Sequence, residues 1–199
     1  MLTTRSILST TMLCLGLLLI MTGCAPNIKN IATDYRGSND NGVVILSFTA
    51  SGDCGYAYFI DVRSIDGRIE HTIGMQEAFE QRDWKRTDGD DCSLDATNYI
   101  GRLSVVELPP GDYVIHKIYG TSRYRSFESV DNFSLRFSVT KNAISYIGNA
   151  HFFVHDDEYS FETQNQQSRD IELFQRKYPA LKDREIILDL LEEIHFQSV

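Results

Sequence analysis

The sequence predicts a mainly β protein, an antiparallel β-sandwich with a helical pair at its C-terminal end. Three observations carry that prediction. NFSLRFSVT, residues 132–140, alternates Phe133, Leu135, Phe137 and Val139 with Ser134, Arg136 and Ser138, the period of two of a half-buried strand. About eight short runs of strand character, separated by turn residues, follow one another between residues 42 and 165, which is the rhythm of a sandwich. Past residue 166 the apolar spacing lengthens to that of helices.

The elements follow in order. VVILSFT, residues 43–49, is β-branched and compact, and a turn at Ser51, Gly52 and Asp53 separates it from GYAYFIDVR, residues 55–63. SIDG then reads as a hairpin turn into RIEHTIG. Residues 76–97 are the least regular stretch, with Asp88, Gly89, Asp90 and Asp91 as its clearest loop. Strand character returns in YIGRLSVVEL, residues 99–108, and PPGDYVIHKIYG, residues 109–120, gives a turn and a further strand. AISYIGNAHFFV, residues 143–154, is expected to pair with residues 132–140 as a hairpin through Lys141 and Asn142.

At the C-terminal end Ser168 is the expected helix N-cap, and Ile171, Phe174 and Tyr178 share a face until Pro179 stops the helix. Residues 181–194 read as the strongest helix. Ile186, Ile187, Leu190, Leu191 and Ile194 make one apolar stripe, with Lys182, Asp183, Glu185, Asp189 and Glu192 largely elsewhere. The stripe has two uses: packing on its own domain, or docking a protein partner through Ile187, Leu190, Leu191 and Ile194. Membrane binding is disfavoured, because the polar face is acidic.

The N-terminal end locates the protein. Residues 7–21 are apolar apart from Ser9, Thr10 and Thr11, and Arg5 is the one side-chain positive charge before them. A spanning helix needs about 20 apolar residues, and the strongest stretch, residues 12–21, is half that. A short basic start, an apolar middle and then the small residues Thr22 and Gly23 describe a secretory signal. Cys24 follows at once. Here the chain resembles the bacterial lipoprotein family, in which a small residue precedes an invariant cysteine. The resemblance implies removal of residues 1–23, a diacylglyceryl group on the Cys24 thiol and acylation of its new amino terminus. Met21 departs from the leucine usual in that family. Ala25 stands where enteric bacteria place an inner-membrane retention aspartate, which implies an outer-membrane address; the periplasmic face is expected ahead of the cell surface, with nothing in the residues to fix it. Several acyl chains hold firmly where one binds marginally. The organisation is then a signal at 1–23, a lipidated, flexible tether at 24–41, a sandwich at 42–165 and a helical appendage packed on it at 166–199.

The chain carries 19 basic and 28 acidic side chains, a formal charge of −9. Loss of Arg5 with the signal makes it 18 against 28, or −10. Such a surface disfavours nucleic acid and anionic headgroups as direct partners. Of four cysteines, Cys14 leaves with the signal and Cys24 carries lipid. Cys54 and Cys92 remain in an oxidising compartment, so a Cys54–Cys92 disulfide is predicted. The alternative, a metal or catalytic thiol, would want histidines that neither SGDCGY nor GDDCSL supplies.

A second resemblance lies in VVELPPGDYVIHKIYG. Leu108, Pro109, Gly111 and Tyr113 are similar to the turn of prealbumin-like and carboxypeptidase-regulatory-like β-sandwiches, and FSVTKNAISYIGN looks like a later part of bacterial lipoproteins with that fold. The resemblance implies a prealbumin/Ig-like sandwich in which Pro109 and Gly111 form a structural turn and Tyr113 returns its hydroxyl to nearby backbone. It implies a fold and no activity.

No catalytic constellation stands out. His151 and His155 would chelate on a helix, but on a strand four residues span about 13 Å, too far to share one ion. DGDDCSLD has calcium-like oxygens without the EF-hand spacing or its closing glutamate. Ser, His and Asp occur without a Gly-x-Ser-x-Gly elbow, and there is no glycine-rich phosphate loop. Neither a metal nor another cofactor is expected, and no enzyme. The expectation is a lipid-anchored envelope scaffold or accessory that binds a protein partner. The alternative is a glycan- or peptidoglycan-binding module displaying Tyr56, Tyr58, Trp84 or Tyr124.

Overall fold

Eleven strands, one α-helix and a 3-10 turn make up the described residues of the computed structural model, which are 30–38, 40–52, 57–75, 100–122, 125–129, 133–155, 158–192 and 195–197. Cys24, Cys54, Cys92, Trp84, the loop at 88–91 and Ile194 lie outside them. One sheet contains β1 (Gly42–Gly52), β4 (Ile100–Leu108), β8 (Ile144–His155), β9 (Glu158–Gln164), β10 (Ile186–Leu188) and β11 (His195–Gln197). Its order is β11-β9-β8-β1-β4, with β10 also beside β8. The other contains β2 (Ala57–Ser64), β3 (Glu70–Met75), β5 (Gly111–Thr121), β6 (Ser126–Glu128) and β7 (Leu135–Val139), in the order β3-β2-β5-β6, with β7 also on β5. Pairing is antiparallel except for β1 with β8 and β10 with β8.

The two sheets bury one apolar core between them, as a β-sandwich does. The alternation in β7 sets its inward face: Leu135, Phe137 and Val139 are buried, Arg136 and Ser138 exposed. β1 behaves differently, because all eleven of its residues are buried. Val44, Leu46, Phe48 and Ala50 enter the core between the sheets, while Val43 and Ile45 lie on the opposite face with a second apolar cluster. A strand covered on both faces reads as a continuous apolar run rather than an alternation.

The second cluster sits under helix α1 (Gln167–Lys177). Leu173, Phe174, Tyr178 and Leu181 cover Val43, Ile45, Leu103, Val105, Ile144 and Tyr146. Each fully buried side chain of this size contributes roughly 1.5–3 kcal/mol, so the helix is held by its face rather than by its caps. Ser168 is not the N-cap. The helix begins one residue earlier, and the Asn165 side-chain oxygen accepts the Gln167 N–H at 3.1 Å.

The C-terminal helical pair is corrected to one helix among the described residues. After the 3-10 turn Pro179–Leu181 the chain extends as β10, then β11. Ile186 to Leu188 lie parallel to Ile144 to Tyr146, and the N–H groups of Asp189 and Leu191 go on to bond Tyr146 and Ile147 carbonyls at 3.0 Å. The Ile-Ile pair suits an extended strand, and the open ladder of β8 outweighs a helical spacing of marginal intrinsic strength. The expected 132–140 to 143–154 hairpin is also corrected. β7 pairs with β5 and β8 with β1, so the Lys141–Asn142 turn carries the chain from one sheet to the other. Asn142, at φ 56°, turns that corner, a conformation asparagine tolerates well.

The described part of the 24–41 segment rests on the sheet. Ile31 donates its N–H to the Val105 carbonyl at 2.9 Å, and the Asn30 side chain both accepts from Val105 N–H and donates to the Leu103 carbonyl. No helix among the described residues is long and apolar enough to cross a membrane.

Candidate functional site

The two edges of the six-stranded sheet are treated differently. Unpaired strand edges invite pairing with other chains, and proteins commonly cover them. Asn30 and Ile31 do this for the middle of β4. β10 pairs with β8 on one side and with no strand on the other among the described residues. Alternate residues of a strand point their backbone groups to opposite sides. Asp189 and Leu191 donate inward to β8, so Leu188 and Leu190 turn their N–H groups outward.

The same stretch carries the apolar surface. Ile187 is 41% exposed, Leu188 49% and Leu190 41%, three of the four large exposed hydrophobics among the described residues. Neighbouring contacts hold this edge in place. Leu191 is buried in the core between the sheets, the Asp189 carboxylate accepts the Ser138 N–H at 2.7 Å, and Thr163 donates its hydroxyl to the Glu192 carbonyl at 2.7 Å. Arg184 donates to the carbonyl and the side-chain oxygen of Asn142. The edge is therefore preformed, with the apolar side chains of Ile187, Leu188 and Leu190 exposed.

Beside the helix, the outward face of the same sheet carries a buried polar cluster. Asp170 is fully buried and accepts from Ser47 at 2.5 Å, Tyr146 at 2.8 Å and Arg169 Nε at 2.7 Å. Burial first, and the Asp170 charge next, push the Tyr146 phenol above its ordinary value of 10.0, which keeps it a donor. A terminal nitrogen of Arg169 also reaches Ser47 Oγ and the Asn149 oxygen, at 3.0 and 3.2 Å. Asn149 Nδ2 donates to Thr49 at 2.9 Å and Gln164 at 3.0 Å. His151 lies between Thr49, 2.8 Å from Nδ1, and Ser51, 3.0 Å from Nε2.

The Thr49 hydroxyl stands 3.3 Å from the Asn149 oxygen and 2.8 Å from His151 Nδ1, and donor and acceptor along the Thr49–His151–Ser51 row follow the histidine tautomer. The Asp170 carboxylate binds Ser47 and Tyr146, and no bond between it and His151 completes a triad. The cluster fastens α1 to β1 and β8.

The other candidate residues are dispersed. Tyr113 is 1% exposed and donates its hydroxyl to the Pro109 carbonyl at 2.8 Å, closing the Pro109–Gly111 corner between the sheets. Gly111, at φ 152°, opens β5 there. Of the proposed aromatic platform, Tyr58 is 1% exposed and packs on Phe152 at 4.7 Å inside the sandwich, so it displays nothing to a sugar. Tyr56 and Tyr124 lie outside the described residues, as does Trp84. His151 and His155 stand on strand β8. Among the described residues no three His, Cys, Asp or Glu side chains are placed to hold a metal ion. Ile187 and Leu190 belong to the exposed edge, whereas Leu191 belongs to the core.

Sequence reasoning missed the polar cluster. Its signal was the alternation of Ser47, Thr49 and Ser51 with Leu46, Phe48 and Ala50, hidden inside a run that begins as unbroken Val, Val and Ile. The search of protein families, curated proteins and solved structures finds no match to this chain.

Proposed function

We propose that the protein is a lipid-anchored, non-enzymatic accessory of the cell envelope that docks a protein partner along the β10 edge. The observation that carries this reading is the exposure of Ile187 and Leu188 on β10, and of Leu190 just after it, along a side that has no partner strand among the described residues. Such an edge fits an extended segment of another protein, which adds a strand through main-chain bonds and seats alternate side chains. Cys24, at the end of the apolar leader, is the acylated residue in this reading, and the outer membrane is the address. The prealbumin/Ig-like assignment of the sandwich belongs to the same reading and rests on the Pro109, Gly111 and Tyr113 corner.

The magnitudes make anchor and edge interdependent. Covering three half-exposed aliphatic side chains contributes on the order of 3 kcal/mol. Alone that corresponds to a contact of roughly millimolar strength or weaker. A tether supplies effective concentrations of about that size, so a weak edge suffices once both partners sit on one membrane.

Two measurements test the reading together. Full-length protein should incorporate labelled palmitate and sediment with membranes, and Cys24→Ala should do neither. A single envelope protein should copurify with the wild type and be lost with Leu188→Lys, Leu190→Lys. Labelling that survives Cys24→Ala, or copurification indifferent to both lysines, contradicts the proposal.

A further inference from the structure

The five-stranded sheet holds a second feature, on the face turned away from the sandwich core. Arg63 of β2 and Arg136 of β7 both stand opposite Val114 of β5, one strand to either side of it. All three belong to the outward-facing set, since Val62, Tyr113, Ile115, Leu135 and Phe137 point into the core. A groove of about 580 Å³ opens over them. That is within the range of small-molecule sites, roughly 300–1,000 Å³.

The carboxylates around the groove have other commitments. Asp66 accepts the Ser64 hydroxyl at 2.6 Å and the Arg68 N–H at 3.1 Å, and pairs with Arg68 Nε at 3.3 Å. The Ser64 bond first, then the Arg68 N–H, hold its carboxyl below the usual carboxylate range. Glu70 is the cross-strand neighbour of Arg63 and lies 3.5 Å from His116 Nε2, a buried nitrogen with no hydrogen-bond partner among the described residues. Asp112 accepts from Ser138 at 2.8 Å. Arg63 and Arg136 are exposed, and neither guanidinium has a hydrogen-bond or ion-pair partner among the described residues. In a chain with 28 acidic and 19 basic side chains, Arg63 and Arg136 flank Val114 on either side with no ion-pair partner among the described residues.

The lining mixes the apolar side chains of Ile65, Val114 and Phe133 with the polar ones of Asp66, His116 and Ser134. Ile65 is 57% exposed, and Phe133 is fixed edge-to-face on Phe161 with ring centres 5.8 Å apart. Arginine forks match the paired oxygens of carboxylates and phosphates, and their planes lie well on apolar surface. We propose that this groove binds a small organic anion, a phosphate or carboxylate head carried on a short apolar group. Arg63 and Arg136 clasp the head, and Ile65, Val114 and Phe133 cover the apolar part. The site lies on the sheet opposite to β10 and stands independently of partner docking and of the anchor.

Calorimetric titration of purified full-length protein with hexyl phosphate, hexanoate, inorganic phosphate and hexanol tests it. Hexyl phosphate or hexanoate should bind saturably, about tenfold or more tighter than inorganic phosphate, while hexanol should not bind. The double variant Arg63→Gln, Arg136→Gln should lose about tenfold or more with an unchanged thermal midpoint, and Lys141→Gln, on another surface, should lose nothing. Val114 methyl resonances should shift on addition of hexyl phosphate, a readout that does not depend on the variants. Absence of saturable binding by both amphiphilic anions, equal binding by the double variant, or a silent Val114 overturns the proposal. Where binding holds, competition by phosphatidylglycerol vesicles supports a lipid headgroup as the source of the anion, and lack of competition supports a soluble one.

Discussion

Asp170 gathers a hydroxyl, a phenol and a guanidinium around one carboxylate. It is fully buried, paired with Arg169, and bonded by Ser47 and Tyr146. Removing one member of a buried pair leaves the other charge uncompensated, which costs about 3–5 kcal/mol. Asp170→Ala should therefore lose that much in denaturant unfolding, whereas Tyr146→Phe, which leaves the pair intact, should lose roughly 1–2 kcal/mol. His151 supplies a pH signature. Burial first, and Arg169 as well, move its pKa below the ordinary 6.5, with Glu162 opposing. Below that value the unfolded chain takes a proton that the folded protein refuses, so the histidine's contribution is full above about pH 6.5 and is lost as pH falls. His151→Gln should show a shallower loss of stability between about pH 7 and 5 than the wild type. Ser47, Thr49 and Ser51 alternate with apolar residues, a signal hidden when residues 43–49 are read as one compact run, and nothing local points to Asp170 or Arg169. Their role depends on α1 folding back over β1, a contact between residues more than a hundred positions apart.

Among elements, strands with one wet face were the most legible. β7 alternates in sequence and in burial alike, because one side of it meets the core and the other meets solvent. The C-terminal segment misled because its spacing satisfies a helical period while a ladder on β8 was open to it. Leu191 and Leu190 separate the two descriptions. In a helix the stripe would bury as one. In the observed fold Leu191 is 5% exposed and Leu190 41%, so Leu191→Ala should cost about 2–5 kcal/mol and Leu190→Ala about 1 kcal/mol or less in thermal or denaturant unfolding. The Lys141–Asn142 turn misled for a related reason. A turn between two strands reads as a hairpin, and only the vacant position beside β1 sends β8 to the other sheet.

For the molecule as a whole, the sandwich is read from strand count and turn chemistry, while the arrangement of sheets depends on long-range pairing that no local pattern encodes. Cys54 and Cys92 lie outside the described residues, and the bridge predicted between them is tested in solution. A bridge closing roughly 38 residues would contribute about 3–4 kcal/mol. Thiol counting on the denatured, unreduced domain should find neither cysteine free, and reduction should lower the unfolding midpoint. The proposed docking at one place rests on the acidic surface, the covered edge at β4 and the side of β10 that has no partner strand among the described residues. Photocrosslinking in cells tests that claim most directly, with the crosslinker at position 188 of the full-length protein and, as a control, at exposed Gln175 on α1. One envelope protein captured from position 188, absent from position 175 and lost with Cys24→Ala, is the predicted result. No product from position 188, or the same products from both positions, would contradict the docking edge.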